Sequence, residues 1–283
     1  MTSDPPGFIK PKSLRSGPTT PGKRTAATSH HFATPISSRN ANATPTSSQK
    51  KIRPPPGTVS SIPFPPISAP EFGLIQEKLA NDPFALLVAV NFLNKTKGTV
   101  AIPRFWSFLP DYPTPEDLAT AEVAEVADTI RSLGLHNNRA RTLIAMARTW
   151  VEQPPEGGKR HRRLNYPHRG AGKGIRRGEV IGDDADDDRF GAWEVAHLPG
   201  CGPYALDSWR IFCRDKLRGV GSDYNDARLL EPEWKRVVPR DKELRAFLRW
   251  MWLREGWVWD PLTGEKEVAG EEVLEKARRG EIV

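Results

Sequence analysis

Apolar residues in this chain are concentrated beyond residue 66, where they recur at helical spacing. Residues 84–93 are apolar nearly all round, the mark of a helix buried on every side. Asp82-Pro83 supplies its start, with proline in a first turn that needs no amide. After the polar stop Asn94-Lys95-Thr96-Lys97-Gly98, the pattern predicts a helix over about 101–109. Pro113-Thr114-Pro115-Glu116-Asp117 then turns the chain and caps a single further helix with Val123, Val126, Ala127 and Ile130 inward. Gly134 suits a left-handed C-terminal cap for it. The next helix runs from about Asn138, with Ala140, Leu143, Ile144, Ala147, Trp150 and Val151 facing the core.

The periodicity stops over residues 153–190. Eight basic residues between Lys159 and Arg177 are mixed with glycines and followed by Asp183, Asp184, Asp186, Asp187 and Asp188, which predicts a long, self-neutralising surface insertion. The acidic run lacks the alternating glycine and flanking helices of a metal loop and reads as solvated; the basic half is suited either to exposure or to phosphate. From Asp241, Leu244, Phe247, Leu248, Met251 and Trp252 fall on one helical face, and the tryptophan-rich stretch 250–259 is expected to close the core.

Charge separates the chain into two parts. Residues 1–66 carry nine Lys/Arg against the single acid Asp4 and 13 of the 27 prolines, a Ser/Thr/Pro-rich composition expected to remain disordered. Lys23-Arg24 and Lys50-Lys51-Ile52-Arg53 suit nuclear import, non-specific DNA contact or a merely soluble linker. Residues 67–283 are close to neutral, with 33 basic and 34 acidic residues, so a DNA-binding face there has to be a local patch. Cys201 and Cys213 are too few for an iron–sulfur cluster or a zinc ribbon and are expected as reduced, half-buried thiols. The sequence contains no apolar run of membrane-spanning length, and no apolar signal core stands at Met1, so neither a membrane partner nor secretion is expected.

The candidate chemistry lies in Leu198-Pro199-Gly200-Cys201-Gly202-Pro203-Tyr204, where a tight glycine turn runs into a helix near Tyr204. Outward amides of the turn, added to those at a helix N-terminus, would hold one phosphate without a charged side chain; a plain structural turn is the alternative. Two carboxylates compete for a catalytic role. Asp241 opens the downstream amphipathic helix and is suited to capping it, to stabilising a positive charge that develops nearby, or to both. A helix N-terminus would lower its pKa. Asp207, inside the helix after the turn, is expected to bond neighbouring backbone or Arg210.

Four blocks of sequence resemble the helix-hairpin-helix DNA glycosylases, and among them the glycosylase domain of the methyl-CpG-binding thymine DNA glycosylases. They are Phe72-Gly73-Leu74-Ile75-Gln76-Glu77, Phe92-Leu93-Asn94-Lys95-Thr96, Leu133-Gly134-Leu135 with Arg139-Ala140-Arg141-Thr142, and the hairpin with the Asp241 helix, in the family's order over about residues 70–257. Nothing in residues 1–66 resembles a methyl-CpG-binding domain. The resemblance implies an all-α, two-lobed glycosylase domain over 67–283 that grips double-stranded DNA between its lobes, as a nuclear monomer. Its implied activity is monofunctional excision of thymine or uracil mispaired with guanine by base flipping and N-glycosidic hydrolysis, the first step of base-excision repair.

By the same resemblance Asp241 is catalytic, Gln76 and Tyr204 line the flipped-base pocket, Leu135 is the wedge, and Gly200, Cys201 and Gly202 grip the backbone. Lys95 replaces a family arginine, Pro203 a basic residue, and Arg240 an acid. Tyr204 stands where strand-cutting relatives carry a Schiff-base lysine, and Lys242 would point away from the site. No cofactor is expected beyond a monovalent cation that hairpin carbonyls hold in relatives. Tyr166-Pro167 matches a family Tyr-Pro displaced by the first insertion, and residues 215–233 are expected as a second insertion relative to the family. The alternatives are a catalytically silent DNA-binding hairpin module and a glycosylase-lyase.

Overall fold

A computed structural model describes residues 59–182, 191–219 and 231–281, all within one compact unit spanning 52–283. The acidic run 183–188, most of the second expected insertion and the tail through residue 58 lie outside the described residues. Among the described residues the fold is helical with five short strands.

The short helix α1 (Ile75–Lys78) leads to α2 (Pro83–Leu93), the spine of the first lobe. Asp82 caps α2 by accepting from the Ala85 amide at 2.9 Å, and eight of the helix's 11 residues are buried. At roughly 1.5–3 kcal/mol for each large apolar side chain removed from water, α2 supplies a substantial share of the burial that holds this lobe together. Helix α3 (Gly98–Phe108) starts three residues before its expected position and runs through Pro103. The bond that proline forfeits would have ended on the carbonyl of Thr99, an exposed residue.

The single helix expected after Pro113 is two. α4 (Pro115–Thr120) is capped by a reciprocal Thr114–Asp117 box, then Ala121 turns extended (ψ 150°) and α5 (Val123–Thr129) begins. The break lets Leu118 of α4 and Val126 of α5 both bury against α6 (His136–Glu152), a packing gain that periodicity alone does not reveal. A 3-10 turn, Arg131–Leu133, follows α5, and Gly134 ends it with φ +71° and ψ 161°, outside the left-handed helical region expected for it. On α6, Val151 is exposed instead of inward.

The first insertion is tied into the fold, contrary to its expected character as a surface loop. Strand β1 (Arg160–Arg162) pairs antiparallel with β2 (Val180–Ile181) and with β3 (Ala192–Trp193), giving the order β2-β1-β3. Ile175, Ile181 and Ala192 form a small core, and Tyr166, at a cis Tyr166-Pro167 bond, is buried in the first lobe. Two of the glycines that read as loop composition instead permit a backbone crossing: a Cβ on Gly191 would lie 2.3 Å from the Gly172 nitrogen.

Helices α7 (Pro203–Phe212) and α8 (Arg214–Leu217) come next, then a 3-10 turn at Glu233–Arg236. Arg214 bonds Glu194 at 3.0 Å and Glu233 at 2.8 Å, and Arg210 also pairs with Glu233. Both guanidinium groups stack on Trp193, at 4.2 and 4.9 Å. The closing ends of both insertions are therefore fixed to one buried charge network, whose cost of desolvation is offset only while every partner is present.

The second lobe is built on α9 (Lys242–Arg254), followed by the β4 (Trp257–Trp259) and β5 (Lys266–Val268) hairpin and α10 (Glu271–Arg278). Its core holds Phe72, Leu74, Leu244, Phe247, Leu248 and Trp250, and Ile62 and Phe64, which composition assigns to the tail, pack against it. Trp257 stays exposed, so the tryptophan stretch closes the core through Trp250, Trp252 and Trp259 only. Tyr204 and Phe212 of α7 pack against both cores, which makes α7 the shared wall of the two lobes.

Candidate active site

A cleft of about 1130 Å³ opens where the lobes meet. Its lining brings together Gln76, Lys95, Tyr204 and Asp241, which lie far apart in the chain, and adds Asp207. Asp241 is the N-cap of the 13-residue α9, and its Oδ1 accepts from the amides of Glu243 at 2.9 Å and Leu244 at 3.1 Å. The cap uses one carboxylate oxygen, so capping and a role in the cleft are compatible. Desolvation raises the pKa of Asp241, outweighing the two amides and Lys242, which act in the opposite direction. This reverses the lowering expected from its helix position. A carboxylate stripped of water responds more strongly to a cation placed beside it.

Gln76 is buried, and its Nε2 donates to the Tyr204 hydroxyl at 3.0 Å. Its Oε1 is buried without a hydrogen-bond partner among the described residues. Burial and then the charge of Asp241 raise the pKa of the Tyr204 phenol, so the hydroxyl remains a donor. One side of the cleft thus offers an amide and a phenol beside a carboxylate.

Among the described residues Asp207 is hydrogen-bonded by Tyr166 instead of by neighbouring backbone or Arg210, although the charge of Arg210 still acts on it. Its Oδ1 accepts from the Tyr166 hydroxyl at 2.6 Å, and Arg210 donates to that same hydroxyl at 3.3 Å. Burial, reinforced by Asp241, pushes the Asp207 carboxyl up to about 6. No local signal marks this pairing, because Tyr166 lies 41 residues away inside the first insertion.

Another part of the site comes from residues that composition assigns to the tail. Glu243 accepts from the Ser60 hydroxyl and from the Ser61 amide at 2.9 Å, so Ser61 and Ile62 form one wall of the cleft. Lys242 lines the cleft instead of pointing away, but its amine donates to the Val59 carbonyl at 3.1 Å and the Ser61 hydroxyl at 2.6 Å.

The hairpin differs from its expected form. Gly200 has φ +83° and fits against Asn91 and Thr142, whereas Gly202 is ordinary extended backbone (φ −80°, ψ −175°). The Cys201 amide donates to Leu198 and the Gly202 amide to Gly200, so these two amides serve the turn and do not face outward. The α7 ladder begins with the Leu206 amide on the Gly202 carbonyl, and the amides not used by the helix are those of its first turn. Cys201 and Cys213 are buried rather than half-buried, and burial pushes each thiol up to about 12. Arg163 of the first insertion places a guanidinium nitrogen 4.0 Å from where a Cβ on Gly202 would sit.

Leu135 is 66% exposed on left-handed backbone (φ +50°) at the start of α6. Lys95, also left-handed (φ +59°), stands exposed at the cleft edge. Both are shaped to protrude from the surface.

Residues 85–254 match the HhH-GPD superfamily of base excision DNA repair proteins, a span that contains Lys95, Leu135, the hairpin, Tyr204 and Asp241 but not Gln76. The thymine-DNA glycosylase of Aeropyrum pernix is 42% identical over 67 residues, covering 24% of this chain and 30% of that protein. The thymine/uracil-DNA glycosylase of Pyrobaculum aerophilum is 36% identical over 74 residues, covering 26% and 32%. The matches thus span about a third of the length of these curated relatives. A solved thermostable thymine-DNA glycosylase aligns over 47% of each chain at 20% identity with a TM-score of 0.32. With a superfamily match over more than half its length, the chain belongs to the HhH-GPD superfamily of base excision DNA repair proteins.

Proposed function

We propose that this protein is a monofunctional DNA glycosylase that removes thymine or uracil mispaired with guanine and so begins base-excision repair in the nucleus. The observation that carries the reading is Asp241, a desolvated carboxylate in the inter-lobe cleft that also holds Gln76 and Tyr204. Double-stranded DNA lies across the mouth of the cleft, and the target nucleotide leaves the stack to enter it. Leu135 fills the gap, Lys95 meets the adjacent phosphates, and the hairpin at Gly200 to Gly202 holds the strand through the first-turn amides of α7. Gln76 and Tyr204 line the pocket for the pyrimidine edge, with the Tyr204 hydroxyl as a hydrogen-bond donor to it.

As the C1′–N bond breaks, its electron pair leaves with the base and the sugar becomes a cation. The Asp241 carboxylate stabilises that charge, as carboxylates do in other glycoside cleavages. Water then adds to C1′ and gives its proton to Asp241, leaving an abasic site. The departing base takes its proton from solvent. These steps use a carboxylate and water and call for no redox group. Tyr204 forms no Schiff base, and the Lys242 amine is occupied by Val59, Ser61 and Glu243, which supports hydrolysis without strand cutting.

Incubating the protein with duplexes bearing one G:T or G:U pair, followed by alkali, tests the reading. Alkali-dependent strand breaks at the mismatched pyrimidine are the expected result, and a duplex left intact would reject it. Lys242 lines the cleft, which favours a glycosylase-lyase as the second reading. That reading predicts strand cleavage before alkali and a protein–DNA adduct trapped by borohydride.

A further inference from the structure

One buried side chain ties together the two loops that carry Lys95 and Leu135. Arg139, on the first turn of α6, is 8% exposed. Its Nε donates to the Gly134 carbonyl at 3.1 Å, on the loop that ends in Leu135. One terminal nitrogen donates to the carbonyls of Asn91 and of Phe92 (3.3 Å), and the other to the Asn94 carbonyl and the Thr96 hydroxyl, both at 2.7 Å. The carbonyls of Asn91 and Phe92 belong to the last turn of α2, where no helix amide follows to meet them. Lys95 lies between the bonded residues Asn94 and Thr96, so the arginine holds its loop on both sides. Thr96 in turn reaches the Leu133 carbonyl at 3.5 Å.

The two residues beside this junction, Lys95 and Leu135, are two of the three non-glycine residues with positive φ among those described. Left-handed backbone at such residues persists only where the surroundings over-determine it. Here the surroundings are the acceptors that Arg139 gathers. The residue lies inside the first lobe and itself lines no part of the cleft.

We infer that Arg139 is a positioning residue that fixes the spacing between Lys95 and Leu135, so that an ammonium and an apolar wedge meet the duplex at the same nucleotide step. The inference rests on the base-flipping reading above. The wedge is useful only where the neighbouring phosphate is held, because expelling a base requires the gap to be filled while the strand is gripped. Lysine cannot replace the arginine: an ammonium has the charge but lacks the planar fork that reaches acceptors on two loops at once.

A double-mutant cycle in the full chain tests this. Arg139→Lys, Leu135→Ala and the double variant are compared by single-turnover excision from whichever duplex the wild type cleaves, G:T or G:U. Each is assayed well below its own melting temperature. Arg139→Lys is expected to slow excision roughly tenfold or more, the scale of a modest misplacement of reacting groups. In the Leu135→Ala background the same change is expected to cost about threefold at most, because the part it positions is already gone. A purely structural arginine would instead give the full product of the two single losses, and that result, or a wild-type rate for Arg139→Lys, overturns the inference.

If Arg139→Lys does not fold, Thr96→Val takes its place in the cycle, deleting one acceptor and leaving the arginine. A 2-aminopurine beside the mismatch reports base expulsion directly, and its fluorescence rise on binding should fall in step with the rate. Wild type that excises neither base rejects the base-excision reading itself. Wild type that excises while Leu135→Ala and Arg139→Lys match it leaves that reading standing and rejects this inference.

Discussion

The Tyr166 hydroxyl donates to Asp207 Oδ1 at 2.6 Å, joining the first insertion to the helix that follows the hairpin. The bond favours the ionised carboxylate, but burial is the larger influence and the group titrates near 6 instead of the ordinary 3.8. The folded state therefore keeps this proton to higher pH than the unfolded chain does. Its contribution to stability is fully present below about pH 4 and is lost as pH rises to about 6, a change on the order of 2–3 kcal/mol. Asp207→Asn is expected to flatten that part of the profile, with melting temperatures from pH 4 to 7 as the measurement. An unchanged slope would mean that Asp207 titrates normally.

The hairpin's two glycines should respond differently to substitution. A Cβ on Gly200 would lie 2.8 Å from both Asn91 Nδ2 and Thr142 Cγ2, on backbone with φ +83°. Gly200→Ala is therefore expected to cost roughly 2–4 kcal/mol, from strain and overpacking together. Gly202→Ala meets only the Arg163 guanidinium at 4.0 Å and should stay within about 0.5 kcal/mol of wild type. Urea denaturation of the two variants distinguishes them, and equal losses would contradict the described turn.

Arg163 stands beside Gly202, and no carboxylate pairs with it among the described residues. If the hairpin carries a DNA phosphate, this guanidinium adds one ionic contact. Arg163→Ala should then weaken binding to any duplex and reduce the slope of log affinity against log salt by about 1. Fluorescence anisotropy over a salt series measures it. An unaltered slope would place the phosphate elsewhere.

Legibility in the sequence followed the range of the interactions. Asp82, Thr114 and Asp241 were readable as caps because each acts within three residues of itself. Helix α2 was readable from its unbroken apolar run, and the hairpin from Leu-Pro-Gly-x-Gly. The break at Ala121 was not, because it is set by how Leu118 and Val126 reach α6 and not by any local breaker. Tyr166 with Asp207, Ser60 with Glu243 and Arg139 with the α2 carbonyls are 41, 183 and 48 residues apart, distances over which a single sequence carries no pairing signal. Glycine content suggested a free loop in the first insertion, whereas Gly172 and Gly191 allow two backbones to cross. The pKa of Asp241 is raised where its helix position alone implies lowering, because a sequence shows the helix start but not the burial.

Asp241→Asn tests the central claim most directly. Asparagine caps a helix about as well as aspartate, so the variant should keep the α9 cap and melt within a few degrees of wild type. On the proposed mechanism it lacks the negative charge that stabilises the sugar cation. Single-turnover excision from a G:T or G:U duplex should fall by about a hundredfold or more, the usual scale for deleting one electrostatic stabiliser. A folded Asp241→Asn protein that excises at the wild-type rate would contradict the account.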